Sequence, residues 1–116
     1  MKKRNIILIG MPGAGKSSVG VILAKALGYE FIDTDLVIQH REKRLLREII
    51  ADEGNEGFLA IENEVNATLE ADKSVIAPGG SAIYGKEAME HFKEIGTIVY
   101  LKLSYEDLAK RLGNLK

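Results

Sequence analysis

The apolar and polar positions along the chain divide it into short segments of two alternating kinds. Residues 5–9 are apolar without alternation, which marks a strand buried on both faces. Residues 16–27 place Val19, Ile22, Leu23, Ala26 and Leu27 at helical spacing, and Gly28 follows as a stop. A short strand is expected at 29–32, running into Asp33-Thr34-Asp35. The pattern then predicts a helix over 36–51 with Ile38, Leu45, Leu46, Ile49 and Ile50 inward, broken by Gly54 and Gly57, and a second helix over 58–69. Residues 74–77 form a third strand, ended by Pro78-Gly79-Gly80. Residues 86–95 form a helix with Met89 and Phe92 inward, and 97–103 a fourth strand. Ser104 opens a last helix, with Asp107 in capping-box position.

Strands alternating with helices imply an α/β domain with a parallel sheet covered on both faces and right-handed crossovers. Ligands of such sheets bind beyond the carboxyl ends of the strands. The glycine-rich stretch 10–15, the Asp33/Asp35 pair and Gly79-Gly80 all fall at that edge, so topology alone gathers them into one site.

The stretch Gly10-Met11-Pro12-Gly13-Ala14-Gly15-Lys16-Ser17 satisfies G-x-x-x-x-G-K-[ST]. A loop that wraps a phosphate with backbone N–H groups needs unusual dihedral angles and no Cβ in the way, which Gly10, Gly13 and Gly15 allow. The helix that follows adds its positive end. Lys16 can reach the outer phosphates of a nucleotide and the Ser17 hydroxyl can ligate Mg²⁺. Gly13, Ala14, Gly15, Lys16, Ser17 and Ser18 are therefore the candidate cofactor-binding residues, with ATP as the expected ligand. The G-x-G-x-x-G dinucleotide pattern is not met, because Ser18 stands where its last glycine would. The fold class expected is thus the three-layer P-loop NTPase or kinase fold, with a parallel sheet of about four strands flanked by helices, as a single domain over 1–116.

The two carboxylates of Asp33-Thr34-Asp35 suit phosphoryl transfer: one near Mg²⁺, the other facing an acceptor hydroxyl and taking its proton. Against this, an aspartate after a strand is also a common helix N-cap, and Asp35 is placed for that.

Composition narrows the function classes. The 116 residues carry a formal net charge of −1, with 46% hydrophobic and 28% charged residues, which offers no global attraction to nucleic acid or membrane. No apolar run approaches the ~20 residues of a membrane span. Cysteine is absent, which removes disulfides and thiolate metal sites and fits a cytoplasmic location. His40 and His91 lack partners at metal-ligand spacing. The basic run His40-Arg41-Glu42-Lys43-Arg44 with Arg47 reads as a solvated helix face interleaved with acids.

Together, Gly10-Met11-Pro12-Gly13-Ala14-Gly15-Lys16-Ser17-Ser18-Val19-Gly20, Phe31-Ile32-Asp33-Thr34-Asp35, Phe58 with Glu62, and Val75-Ile76-Ala77-Pro78-Gly79-Gly80 resemble shikimate kinase, in matching order along nearly the whole chain. The resemblance implies transfer of the γ-phosphoryl of ATP, with Mg²⁺, to a hydroxyl of shikimate on the route to chorismate and the aromatic amino acids. It implies that Lys16 and Ser17 serve ATP and Mg²⁺, that Asp33 helps hold the metal, and that Asp35 binds the acceptor and acts as base. Gly79 and Gly80 would offer N–H groups to the acceptor, and Glu62 matches an acidic position of the family. Lys16 and Asp35 are thus the expected catalytic residues.

The chain departs from the family pattern at several places. Leu59 stands where the family has the arginine that grips the substrate carboxylate, Ser81 replaces a third glycine, and Gln39 replaces a common glutamate. The family's lid and fifth strand would lie beyond Lys116, so the chain is expected to be a piece of a longer kinase. Two other functions fit the same residues: a non-catalytic nucleotide-binding module, and a kinase for another hydroxylated acceptor.

Overall fold

The computed structural model describes residues 4–10 and 15–101. Four parallel strands, β1 (Asn5–Gly10), β2 (Glu30–Asp33), β3 (Ser74–Ala77) and β4 (Gly96–Leu101), form a sheet in the order β2-β3-β1-β4. The helices are α1 (Lys16–Leu27), α2 (Thr34–Glu42), α3 (Leu46–Ala67) and α4 (Lys86–Ile95), with a single 3₁₀ turn at Ala82–Tyr84. The P-loop kinase architecture expected from the alternating pattern is present. The predicted last helix at Ser104 and Asp107 and the end of the fourth strand lie outside the described residues.

The unbroken apolar run of β1 follows from its place in the sheet. Pairing with β3 aligns Ile6 with Val75 and Ile7 with Ile76; pairing with β4 aligns Ile7 with Ile98. With period-2 side chains, neighbouring residues then serve opposite layers. Ile7, Ile9 and Ile76 pack with Phe92 and Ile95 of α4. Leu8 and Val75 pack with Ala24 of α1, joined by Ile6, Val19, Leu23 and Phe31. Gly20 lets α1 lie close on β2: a Cβ there would stand 2.5 Å from the Phe31 ring. A third cluster, Ile38, Ile49 and Val65 with Phe58 and Ile61, joins α2 to α3 outside the sheet.

The middle of the chain differs from the predicted pattern. The helix expected over 36–51 starts earlier, at Thr34, and ends at Glu42, because Lys43 turns left-handed at φ 56°. No glycine marks this break. Side chains supply it instead: the Gln39 side-chain carbonyl accepts from the Leu46 amide at 2.9 Å, and Glu48 accepts from the Leu45 amide at 2.9 Å. Arg44 ties Glu42 to Asp52 and Glu53 across the junction. The predicted break is present at Gly54, whose non-helical φ 76° and ψ 174° divide α3 into two helical pieces across a kink, whereas Gly57 lies within the second piece. Leu45 and Ile50, expected inward, are exposed, as are Ile22 and Leu27 of α1.

A buried amide fastens the amino ends of the sheet. Asn5 Nδ2 donates to the carbonyls of Ala71 and Ile95, both at 2.9 Å, and Asn5 Oδ1 accepts from the Ser74 amide at 3.0 Å. Replacing this side chain removes three hydrogen bonds and strands a buried carbonyl, a partly buried carbonyl and a buried amide. Asn5→Ala is expected to cost about 2–4 kcal/mol of stability, read as a lower urea midpoint with an unchanged slope.

Candidate functional site

The carboxyl ends of β1, β2 and β3 bring the predicted site residues to one edge. Helix α1 starts directly after the glycine-rich stretch, with Gly15 at its N-cap in the left-handed region, φ 79° and ψ 29°. Such a φ strains any residue with a Cβ. Among the described residues no side chain caps α1 and no acidic residue occupies its first turn, so its positive end suits an external anion. Lys16 Nζ donates to the Gly10 carbonyl at 2.7 Å, closing the base of the loop from helix to strand. Ser17 and Ser18 sit exposed in the first turn of α1. Gly13 and Ala14 lie outside the described residues.

At the end of β2 the two aspartates take different parts. Asp33, not Asp35, is the N-cap of α2: its Oδ1 accepts from the Asp35 amide at 2.9 Å. That leaves the Asp35 side chain, in the first helical turn, available to the site. Burial raises the pKa of Asp35, the Asp33 charge adds to the effect, and Lys16 opposes it. Burial lowers the pKa of Lys16, and Asp35 opposes that change. The two residues therefore feel each other's charge across the strand ends.

Beyond β3, the turn through Gly79 passes between two acids. A Cβ on Gly79 would stand 3.0 Å from Asp35 Oδ1 and 3.0 Å from Glu62 Oε2, so only glycine fits without moving one of them. Glu62 comes from α3 and is 2% exposed. Its Oε1 accepts from the Ser81 hydroxyl at 2.7 Å, while Oε2 is buried with no hydrogen-bond partner among the described residues. Burial raises the Glu62 pKa; the Ser81 hydrogen bond counters this and the Asp35 charge reinforces it. Gly80 is exposed at the same turn. In sequence, Glu62 was marked only by the resemblance. Its site signal, burial beside Asp35, depends on α3 packing next to the turn at Gly79.

Leu59 is at the surface, 36% exposed, and lines a cavity of about 270 Å³ with Glu62, Asn63, Ser81 and Tyr84. Asn63 braces that wall. Its Oδ1 accepts from the Ala88 amide at 3.0 Å and its Nδ2 donates to Glu87 at 2.9 Å, holding the start of α4. The basic run lies elsewhere and is engaged in ion pairs: Arg41 with Glu64, and Arg44 with three acids. His91 meets the Leu69 carbonyl at 2.6 Å. Among the described residues no group of three or more His, Asp or Glu side chains is arranged to hold a metal ion, and no helix is long and apolar enough to cross a membrane.

The shikimate kinase family model matches residues 12–116. The chain belongs to the shikimate kinase family. It is 39% identical over 110 residues to shikimate kinase 2 of Yersinia pseudotuberculosis serotype O:3 (strain YPIII), covering 95% of this chain and 63% of that one. Among solved structures, shikimate kinase from Acinetobacter baumannii in complex with shikimate superposes with a TM-score of 0.80 at 36% identity, covering 90% of this chain and 59% of the other. Shikimate kinase from Bacteroides thetaiotaomicron gives 0.76 at 32%, covering 93% and 62%. The chain thus spans about three-fifths of the length of the relatives it matches.

The state of Glu62 has a measurable consequence for this family member. An acid whose folded pKa lies above its unfolded value holds its proton more tightly in the native state. Its contribution to stability is complete below the unfolded pKa and is lost as pH rises through the folded one. Glu62→Gln keeps an acceptor for Ser81 without the charge. The variant is expected to melt higher than wild type at pH 8, with the difference shrinking toward pH 4. Thermal unfolding across that range checks the sign.

Proposed function

We propose that this chain carries the nucleotide grip and the acceptor base of an ATP-dependent kinase that phosphorylates a hydroxyl of shikimate, acting in the cytoplasm. The observation that carries this reading is Asp35. It is partly buried at the carboxyl edge of the sheet, its cap role is taken over by Asp33, and it is electrostatically linked to Lys16 at the phosphate loop. A carboxylate with a raised pKa, set against a phosphate grip, suits a general base for an acceptor hydroxyl. Family membership and the likeness to a shikimate complex supply the acceptor.

In this reading the amides at the start of α1 and the Lys16 ammonium hold the outer phosphates of ATP. Gly13, Ala14, Gly15, Ser17 and Ser18 complete that grip. The fit rests on the uncapped end of α1 and the left-handed Gly15. With no ready-made cluster of protein ligands among the described residues, a Mg²⁺ ion would rest mainly on the phosphates, with Ser17 and Asp33 beside it. When bound, it would neutralise charge developing on the transferred group. Asp35 orients the acceptor hydroxyl and takes its proton as the oxygen attacks the γ-phosphorus and the bond to the β-phosphate oxygen breaks. Gly79 and Gly80 present backbone to the acceptor, and at Gly79 a side chain would crowd the two acids. The chemistry is positioning and electrostatics, with no covalent intermediate on the protein.

Two substitutions separate grip from base. Asp35→Asn is expected to lower turnover ~10²–10⁴-fold while leaving ATP affinity nearly unchanged, measured by coupled ADP release with shikimate and by calorimetry. Lys16→Ala is expected to weaken nucleotide binding itself. Equal loss of both functions in Asp35→Asn, or ATP binding by the wild-type chain with no shikimate-dependent ADP release, overturns the assignment.

A further inference from the structure

We propose that Lys86 is a specificity-determining residue on the acceptor side of the site: in the cavity between α3 and the turn at 81–85 it meets the carboxylate of a small hydroxylated acid whose ring lies on Leu59 and Tyr84. The proposal rests on the kinase reading given above and deepens it.

The cavity of about 270 Å³ shares residues with the transfer site. Glu62 and Ser81 line it, and Glu62 Oε2 lies 3.0 Å from the same point beside Gly79 as Asp35 Oδ1 does. A molecule that offers a hydroxyl to Asp35 therefore has this space next to it. The walls differ in chemistry. Leu59 and Tyr84 are 36% and 77% exposed, and they give an apolar and an aromatic surface on which a small ring can lie. Two acids line the cavity, and each already holds a donor. Glu62 accepts from the Ser81 hydroxyl at 2.7 Å, and Glu87 accepts from Asn63 Nδ2 at 2.9 Å. Lys86 is the one cation among the described residues that line the space. It is exposed, and no hydrogen bond or ion pair engages its side chain among the described residues.

A carboxylate that leaves water needs a cation or donors to replace its hydration. The other cations near this end of the fold are committed. Arg41 pairs with Glu64, Arg44 pairs with Glu42, Asp52 and Glu53, and Lys16 bonds the Gly10 carbonyl at the phosphate loop. None of them lines the cavity. The place of Lys86 is not explained by its own helix. It is the first residue of α4, directly after the N-cap Gly85, where the positive end of a helix disfavours a cation. A role toward a ligand accounts for a lysine there. Its long stem carries a compact charge that can follow a carboxylate at the mouth of a small cavity. Shikimate has hydroxyls on one side of its ring and a carboxylate on the other. With the hydroxyls toward Asp35 and Glu62, the carboxylate points away from the two acids and toward the α4 end of the cavity.

The test is titration calorimetry of shikimate and of its uncharged methyl ester against the wild-type chain and Lys86→Met, without nucleotide. Wild type is expected to favour the acid over the ester ~10-fold, a preference that narrows as salt is raised. In Lys86→Met the acid and the ester bind alike, both near the wild-type affinity for the ester, because the thioether keeps the apolar stem and lacks the charge. The variant is expected to melt no lower than wild type, since α4 loses a cation from its positive end. A lysine serving the fold alone predicts the reverse, a lower melting temperature with both ligands weakened equally. Equal affinity for acid and ester in wild type overturns the proposal, as does a preference for the acid that survives in Lys86→Met. Should Lys86→Met not fold, Lys86→Gln takes its place with the same expected and overturning results. The kinase reading fails separately. A Lys86-dependent preference for the acid without shikimate-dependent ADP release upholds the subsite and overturns that reading alone. ADP release with the preference unchanged in Lys86→Met overturns the subsite alone, and a wild-type chain that binds neither ligand also overturns it.

Discussion

The buried side chain of Asn5 is the constraint on which the arrangement of the strand ends depends. Its amide spans the amino ends of β1 and β3 and the approach to β4, using both donors and its acceptor on the backbone. Parallel strands have no short hairpin to set their register, so a side chain that bonds three neighbouring segments does that work. With the amino ends aligned, the carboxyl ends of β1, β2 and β3 finish at one edge, and whatever follows each strand shares a site. The glycine loop, the aspartate pair and the Gly79 turn meet there because the strands are in step.

Among the described residues, the site that results sets Lys16 against Asp35 and gathers Asp33, Asp35 and Glu62. Asp33 spends its side chain on the Asp35 amide, Lys16 spends a donor on the Gly10 carbonyl, and Ser81 spends its hydroxyl on Glu62. Each bond fixes a functional group through a neighbour rather than through the group's own backbone. The Asp35 side chain is left without the cap role, and Glu62 has a buried oxygen with no hydrogen-bond partner among the described residues. Native proteins rarely tolerate such an oxygen unless it serves a purpose. Here it lies beside Gly79, where an added Cβ would press on it at 3.0 Å.

Ser81 and Leu59 belong to the same wall. In the family pattern an arginine follows the phenylalanine at Phe58 and a glycine stands at 81. In this chain the arginine position is an exposed leucine, and the serine at 81 donates to Glu62, which the family pattern also marks as acidic. Burial raises the Glu62 pKa, the Ser81 hydroxyl opposes that change and the Asp35 charge adds to it.

The amino-acid order by itself determined the strands and the helices that cover them, because a doubly buried strand and an amphipathic helix write different periods. Residues 16–27, 74–77 and 86–95 were legible to the residue. So was the gathering of three strand ends, since it follows from topology. The middle of the chain was not legible. The break at Lys43 has no glycine or proline to announce it and comes from Gln39, Glu48 and Arg44 bonding across a junction. The division of labour between Asp33 and Asp35 was open as well, because an aspartate that caps and an aspartate that catalyses look alike until the hydrogen bond is placed. Glu62 was decided last of all. Its burial, its serine tether and its nearness to Asp35 join residues far apart in the chain, and such contacts exist only after the helices have packed.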